Sequence, residues 1–257
     1  MPAIKPALQR RNQIKDLISH SGSVKVDILS KRFGVSEVTI RGDLRHLEDQ
    51  GFILRSYGGA QIREPVGTDV SILQKRKLHV DEKRRIGAAA ATLIHDGDSI
   101  ILDSGSTTSE IVKFLEGKEN LTIMTNAVDI ATELAGKPNC TVMLTGGILR
   151  EKSFSLVGIQ AERTLKEYHF DKVFLGVDGF DLESGLTTPN PYEAHLNSIM
   201  TESAKEVIIL TDSSKFGRKS LVSIIGLDRI HRVITDKNIP PTYLKMLEER
   251  SIGVMLV

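Results

Sequence analysis

From residue 99 onward the chain repeats one pattern: an apolar run of four to six residues, a few small or polar residues, then a helical stretch. Residues 99–102, 121–124, 140–144, 172–177, 206–210, 232–234 and 253–257 read as strands. Residues 110–115, 127–134, 161–168, 191–204 and 243–249 read as helices between them. A strand that is apolar along its whole length must be covered on both faces, and strands separated by helices run parallel. Residues 79–257 are therefore expected to form a mostly parallel α/β domain.

In open parallel sheets a ligand sits beyond the carboxyl ends of the strands. The residues that follow the predicted strands are Asp103-Ser104-Gly105-Ser106-Thr107-Thr108, Thr125-Asn126, Thr145-Gly146-Gly147, Asp178-Gly179-Phe180-Asp181 and Thr211-Asp212-Ser213-Ser214-Lys215. Small hydroxyl residues around a glycine, leading into a helix, offer N–H groups and hydroxyls to a phosphate. Each stretch alone also reads as a capped turn. Their convergence on one sheet edge points to a small, phosphorylated, polyhydroxylated ligand. Few aromatic residues are present to stack on a base.

The first 62 residues have a different character. Residues 26–33 read as a short helix ending at Gly34, and Ser36 is placed to cap a second helix over 36–48. Val38, Ile40, Leu44 and Leu47 are expected inward, with Glu37, Thr39, Arg41, Gly42 and Arg45 outward. Helix, tight turn and capped helix is the helix-turn-helix arrangement. Residues 51–60 read as a two-stranded wing, and 23–26 as a strand that pairs with it. The outward residues suit a major groove, where Arg takes guanine O6 and N7 and a Thr methyl meets thymine. Ser36, Thr39, Arg41 and Arg45, with Arg55, Tyr57 and Gly58 on the wing, are the candidate DNA-binding residues. Leu8, Ile14, Leu17 and Ile18 mark the inner face of a first helix, whose Arg10 and Arg11 are candidates for phosphate contacts.

Charge supports this division. Residues 1–63 carry a net +5 and the remainder −4. A basic head on a mildly acidic body fits a head that meets a phosphate backbone. The excess is modest, so tight binding calls for paired heads in a homo-oligomer reading two half-sites. A single cysteine, Cys140, excludes a disulfide framework, and the histidines show no metal-ligand spacing. No cofactor is expected. No apolar run reaches the length of a membrane span, so the expected setting is cytoplasmic. Residues 63–78, with Pro65 and Gly67, read as a linker, and the basic stretch 71–85 as a helix able to pass a signal to the heads.

Residues 38–44, with Leu47, Gly51, Arg55 and Tyr57-Gly58-Gly59-Ala60, resemble the DeoR family of bacterial transcription regulators. The resemblance extends to 97–108, 124–126, 145–147, 174–179, 185–188, Glu193 and 212–216. It implies a winged helix-turn-helix followed by a sugar-phosphate sensor similar to ribose-5-phosphate isomerase. It implies an effector set of Asp103, Ser104, Gly105, Ser106, Thr107, Thr108, Asn126, Gly146, Gly147, Asp178, Glu193 and Lys215. It also implies repression of a carbohydrate-catabolism operon, in a branch concerned with amino sugars or hexitols. Glu193 falls near the isomerase's general base, but 185–190 stands where the isomerase has a Lys-Gly-Gly-rich segment. A base without its electrophilic partner points to a binding site rather than an enzyme. An active isomerase carrying a DNA-binding head, or an activator of the same architecture, are the alternatives. Gly42 stands where the family usually has Arg, Lys or Asn.

Overall fold

A computed structural model describes residues 7–56, 58–62, 67–137 and 139–257; Tyr57 and residues 63–66, read above as parts of the wing and the linker, lie outside them. The chain divides into two units, Met1–Pro65 and Val66–Val257.

The first unit packs α1 (Ala7–Ser21), α2 (Val26–Phe33) and α3 (Glu37–Asp49) against a small antiparallel sheet. That sheet has the order β1 (Ser23–Lys25), β3 (Gly59–Ile62), β2 (Ile53–Ser56). Gly34 ends α2 in the left-handed region at φ 63°, and the Ser36 hydroxyl accepts the Thr39 N–H to start α3. The turn between the two helices is thus set by two residues, one for its φ and one for its side-chain acceptor. Gly59 is needed where β3 meets β1, because a Cβ there would lie 2.3 Å from the Val24 carbonyl oxygen.

The inner stripe of α3 is Ile40, Asp43, Leu44 and Leu47. Val38, expected inward, is 75 % exposed. At 100° per residue it lies on the far side from Leu47, and the fourth buried position belongs to a carboxylate. Leu8 is likewise exposed, because α1 turns Arg10, Ile14 and Ile18 inward at four-residue spacing.

The second unit is built on seven parallel strands in the order β15 (Gly253–Leu256), β14 (Arg232–Thr235), β12 (Ala204–Leu210), β9 (Phe170–Gly176), β4 (Ser99–Leu102), β5 (Leu121–Thr125), β6 (Cys140–Leu144). Before the sheet come α4 (Ile72–Lys75) and α5 (Val80–Ala91). They are not the single helix that composition predicts, because His79 takes φ 52° between them. The strands and helices that follow are β4 (Ser99–Leu102), β5 (Leu121–Thr125), α6 (Val128–Leu134), β6 (Cys140–Leu144), β7 (Ile148–Arg150), β8 (Ser155–Val157) and α7 (Ile159–Lys166). Next are β9 (Phe170–Gly176), β10 (Gly179–Asp181), β11 (Gly185–Thr188), α8 (Pro191–Glu202), β12 (Ala204–Leu210) and β13 (Val222–Ile225). The chain closes with β14 (Arg232–Thr235), α9 (Pro241–Glu249) and β15 (Gly253–Leu256). The 110–115 helix is a 3-10 turn over Thr108–Phe114.

Alternate residues of the central strands enter opposite cores. Ile101, Met124, Val173, Leu175 and Ile209 pack with Leu165, Leu196 and Leu247 on one face. Ile100, Leu102, Ile123, Phe174 and Ile208 pack with Ile86, Ile111 and Ile130 on the other. Two antiparallel additions were not evident in the sequence: the β7-β8 hairpin and the three-stranded sheet β10-β11-β13. Among the described residues no helix is long and apolar enough to cross a membrane.

Candidate functional site

On the first unit, Thr39, Arg41, Gly42 and Arg45 lie exposed on the outer face of α3, together with Val38. The Ser36 and Thr39 hydroxyls are 2.9 Å apart, so both help fix the helix start. Arg41 donates to Glu37 one turn earlier at 2.7 Å, with both side chains about half exposed. Arg55 on β2 donates through Nε to Glu48 at 2.5 Å, and its backbone N–H reaches the same carboxylate at 3.2 Å. Burial raises the Glu48 pKa, but the two Arg55 bonds, with the charges of Arg55 and Arg45, together outweigh it and hold the group below its usual range. Gly58 is exposed at φ 78°, and its carbonyl accepts the Val26 N–H that opens α2. Arg10 and Arg11 are not aimed at solvent phosphates. Both donate to Asp43 on the inner side of α3, at 2.5 and 2.8 Å.

On the second unit the strand order reverses between β4 and β9, which makes the space beyond their carboxyl ends the switch point of the sheet. Asp103, directly after β4, bridges that point. One of its oxygens accepts from the Gly105 N–H at 3.0 Å and from the Thr108 hydroxyl; the other accepts from the Gly176 N–H at the end of β9, at 3.0 Å. Burial pushes the carboxyl up to about 6, against the pull of those three donors. Gly105 fits because a Cβ would lie 2.9 Å from both Asp103 and Thr108. Ser106, Thr107 and Thr108 are buried, and Ser104 and Gly105 half-buried. Asp103 therefore orders the 104–108 loop.

Asp178, just past β9, accepts from the Thr188 hydroxyl at 3.0 Å and pairs with the Lys75 amine at 2.5 Å. Burial raises its pKa, but the charges of Lys75 and Lys215 outweigh that and hold it low. Lys215 sits in a 3-10 turn after β12, opened by Asp212 capping the Ser214 N–H at 3.0 Å. Burial lowers the Lys215 amine, with Asp212 and Asp178 opposing. Glu193, in the first turn of α8, accepts from Ser155 at 2.9 Å and from Arg150 at 3.1 Å. Arg150 also grips Asp69. Asp103 feels the Glu193 charge, and Lys215 feels Asp178 and Lys75, so the ends of β4, β9 and β12 form one neighbourhood.

Asn126 and Gly147 join it through β8. The Asn126 carbonyl accepts the Leu156 N–H at 2.7 Å. Its side chain is fully buried, and neither amide atom has a hydrogen-bond partner among the described residues. Gly147, at φ 110°, backs onto the Val157 carbonyl, where a Cβ would approach to 2.6 Å. Gly146 lies beside Gln160 and makes no such contact with the cluster.

Sequence reasoning missed Lys75, Lys83 and Arg150. Lys75 and Lys83 stand in the basic run 71–85, read above as a helix that passes a signal and not as part of the ligand site. Lys83 is buried, donates to the Lys75 carbonyl and, at 2.7 Å, to the Leu78 carbonyl, and burial brings its amine down to about 8. Among the described residues no group of three or more His, Cys, Asp or Glu is placed to hold a metal ion.

The family described as DeoR-like helix-turn-helix domain matches residues 10–66, and that described as DeoR C terminal sensor domain matches 78–237. A candidate aga operon transcriptional repressor of Escherichia coli O157:H7 is 44 % identical over 251 residues, 97 % of this chain and 93 % of that protein. YulB of Bacillus subtilis, an uncharacterized HTH-type transcriptional regulator, is 37 % identical over 249 residues, 97 % of this chain and 96 % of its own. Ribose 5-phosphate isomerase A of Methanocaldococcus jannaschii aligns over 55 % of this chain and 56 % of its own, at 20 % identity and TM-score 0.41.

Proposed function

The chain belongs to the DeoR family of transcriptional regulators, and from that premise we propose that it represses a carbohydrate-catabolism operon and leaves its operator when a phosphorylated sugar binds the second unit. The observation that carries the ligand half is the switch-point cluster. A loop of buried hydroxyls ordered by Asp103 shares the carboxyl-end edge of the sheet with Asp178 and Lys215, which act on each other's charge, and Asp103 lies in the field of Glu193. Hydroxyls, loop N–H groups and an amine suit a phosphate. Carboxylates and the unpartnered Asn126 amide suit sugar hydroxyls.

The DNA half rests on the exposed face of α3. Arg41 and Arg45 take base edges or adjacent phosphates, Thr39 a thymine methyl, and Arg55 and Gly58 the flanking backbone. The protein acts in the cytoplasm as a homo-oligomer on duplex operator DNA. Repression is the direction named for the Escherichia coli O157:H7 relative. It is a regulator and not an isomerase, a reading supported by the relatives, which are named transcriptional regulators. Regulation requires that the ligand prefer a state with weaker DNA affinity.

Two assays test this. A thermal-shift panel of sugar phosphates and their unphosphorylated parents should show a shift only with the phosphate present. Incubation with ribose 5-phosphate or amino-sugar phosphates should give no ketose product. A shift by the parent sugar, or turnover, contradicts the proposal.

A further inference from the structure

The segment that leads into the second unit is fastened to the carboxyl-end side of the sheet at several points. Asp69 pairs with Arg150 on β7, and the Ile72 N–H donates to the Lys152 carbonyl at 2.7 Å. Lys75 pairs with Asp178 beyond β9, and Arg76 with Asp129 in the first turn of α6 beyond β5. Lys83 then clamps the far end, donating to the carbonyls of Lys75 and Leu78. Residues 69–83 are thus a strap lying along the rim of the ligand site, and not a free tether.

The strap is also charged toward that site. Lys75 is only 23 % exposed at its side chain and lies in the field of Asp178, Glu193 and Asp69. Lys215 acts on the charge of Lys83, and Lys75 acts on both. Three amines therefore share one neighbourhood, two of them carried by the strap and one by the α/β core.

We propose that Lys75 is a ligand-binding residue supplied by the strap, and that a phosphorylated ligand at the strand ends tightens the strap onto the sensor. A phosphomonoester seated by the 104–108 loop and Lys215 adds up to two negative charges beside Lys75 and Lys83. In a partly buried site that attraction is screened little. By linkage, whatever affinity the ligand gains from the strap, the strap gains from the ligand. The strap is the first part of the sensor unit in chain order, so its attachment acts on the segment that leads to the DNA-binding unit. The inference rests on the phosphorylated-ligand reading above and adds to it the element that senses occupancy.

Hydrogen exchange of the full-length chain tests it, with ribose 5-phosphate, glucosamine 6-phosphate, their unphosphorylated parents and inorganic phosphate as probes. The phosphorylated probe that binds should slow exchange of the amides at 72–78. Lys75→Met should abolish that slowing and weaken the same probe by about tenfold or more, the usual size of a lost charge-assisted bond. Lys75→Arg should largely restore both. Unchanged exchange in β9 and β12 shows that Lys75→Met is folded; if it is not, the Lys75→Arg protein and the wild-type protection at 72–78 decide. Equal probe affinity in wild type and Lys75→Met, or no added protection at 72–78, overturns the inference while leaving the ligand reading intact. If no phosphorylated probe binds wild type, the ligand reading fails and this inference with it.

Discussion

Arg10 and Asp43 stand 33 positions apart in the chain and meet at 2.5 Å inside the DNA-binding unit, with Arg11 closing on the other carboxylate oxygen at 2.8 Å. The pair ties the first helix to the reading helix through a carboxylate that is 2 % exposed. Removing one partner of a buried ion pair leaves the other charge uncompensated, at about 3–5 kcal/mol. Asp43→Asn should therefore lower the stability of this unit by about 3 kcal/mol in urea denaturation of the full chain. Arg11→Ala, at a half-buried position, should cost about 1 kcal/mol. An Asp43→Asn protein as stable as wild type would show that the clasp contributes nothing.

Two glycines predict opposite outcomes. Gly42 lies within α3, and a Cβ added there would meet nothing within 4 Å, so Gly42→Ala should stabilise the head by about 0.5–1 kcal/mol. Gly147 combines φ 110° with a carbonyl oxygen 2.6 Å from where a Cβ would sit. Gly147→Ala should cost about 2 kcal/mol or more. Thermal unfolding of the two variants beside wild type checks both signs.

The outer face of the reading helix separates binding from folding. Arg41 is more than half exposed and pairs with Glu37 one turn away. Arg41→Ala should change stability by no more than about 0.5 kcal/mol. Its affinity for a duplex selected from a random pool should fall by about 1–3 kcal/mol. Fluorescence anisotropy and a melting curve on the same sample measure the two effects. Loss of folding together with binding would assign Arg41 a structural role.

The repeated strand-and-helix pattern was legible because burial on both faces forces apolar runs such as 100–102 and 207–210. The winged head was legible from two local signals, Gly34 and Ser36, each with a single-residue cause. What escaped was long-range. Val38 was placed inward because an apolar residue looks more buriable than Asp43, yet Arg10 and Arg11 make the carboxylate the inner residue. The anchoring of 69–83 escaped for the same reason: the basic run was read as a signal-passing helix, but its partners, Asp178, Asp129 and two carbonyls, are distant in sequence or not marked by any local pattern. The β10-β11-β13 sheet carries short, mixed strands with no clear period. Among the candidate site residues, those after strands were read from position alone. Arg150, inside a three-residue strand, gave no such signal.

Asp103 and Asp212 titrate with opposite sign. Asp103 ionises at about 6 in the fold against 3.8 without it, because burial disfavours its charge. Its contribution to stability is full below about pH 4 and is lost as the pH rises through 6, by about 3 kcal/mol. Asp212 ionises at about 2, because the charge of Lys215, with His79 and Lys83, outweighs its burial. Its contribution is present above pH 4 and is lost as the pH falls toward 2, by about 2 kcal/mol. The stability difference between wild type and Asp103→Asn should fall by that first amount between pH 4 and 6 and then level. A difference independent of pH would mean that Asp103 titrates normally.

The central claim is that occupancy of the strand-end cluster sets the grip of the α3 face on DNA. Its most direct measurement is the affinity of the full-length protein for a selected duplex, titrated with a sugar phosphate that raises its melting temperature and with the unphosphorylated parent. The account predicts that affinity drops by about tenfold or more, a coupling of at least about 1.4 kcal/mol, with the phosphorylated sugar alone. An affinity that the bound sugar phosphate leaves unchanged would contradict it.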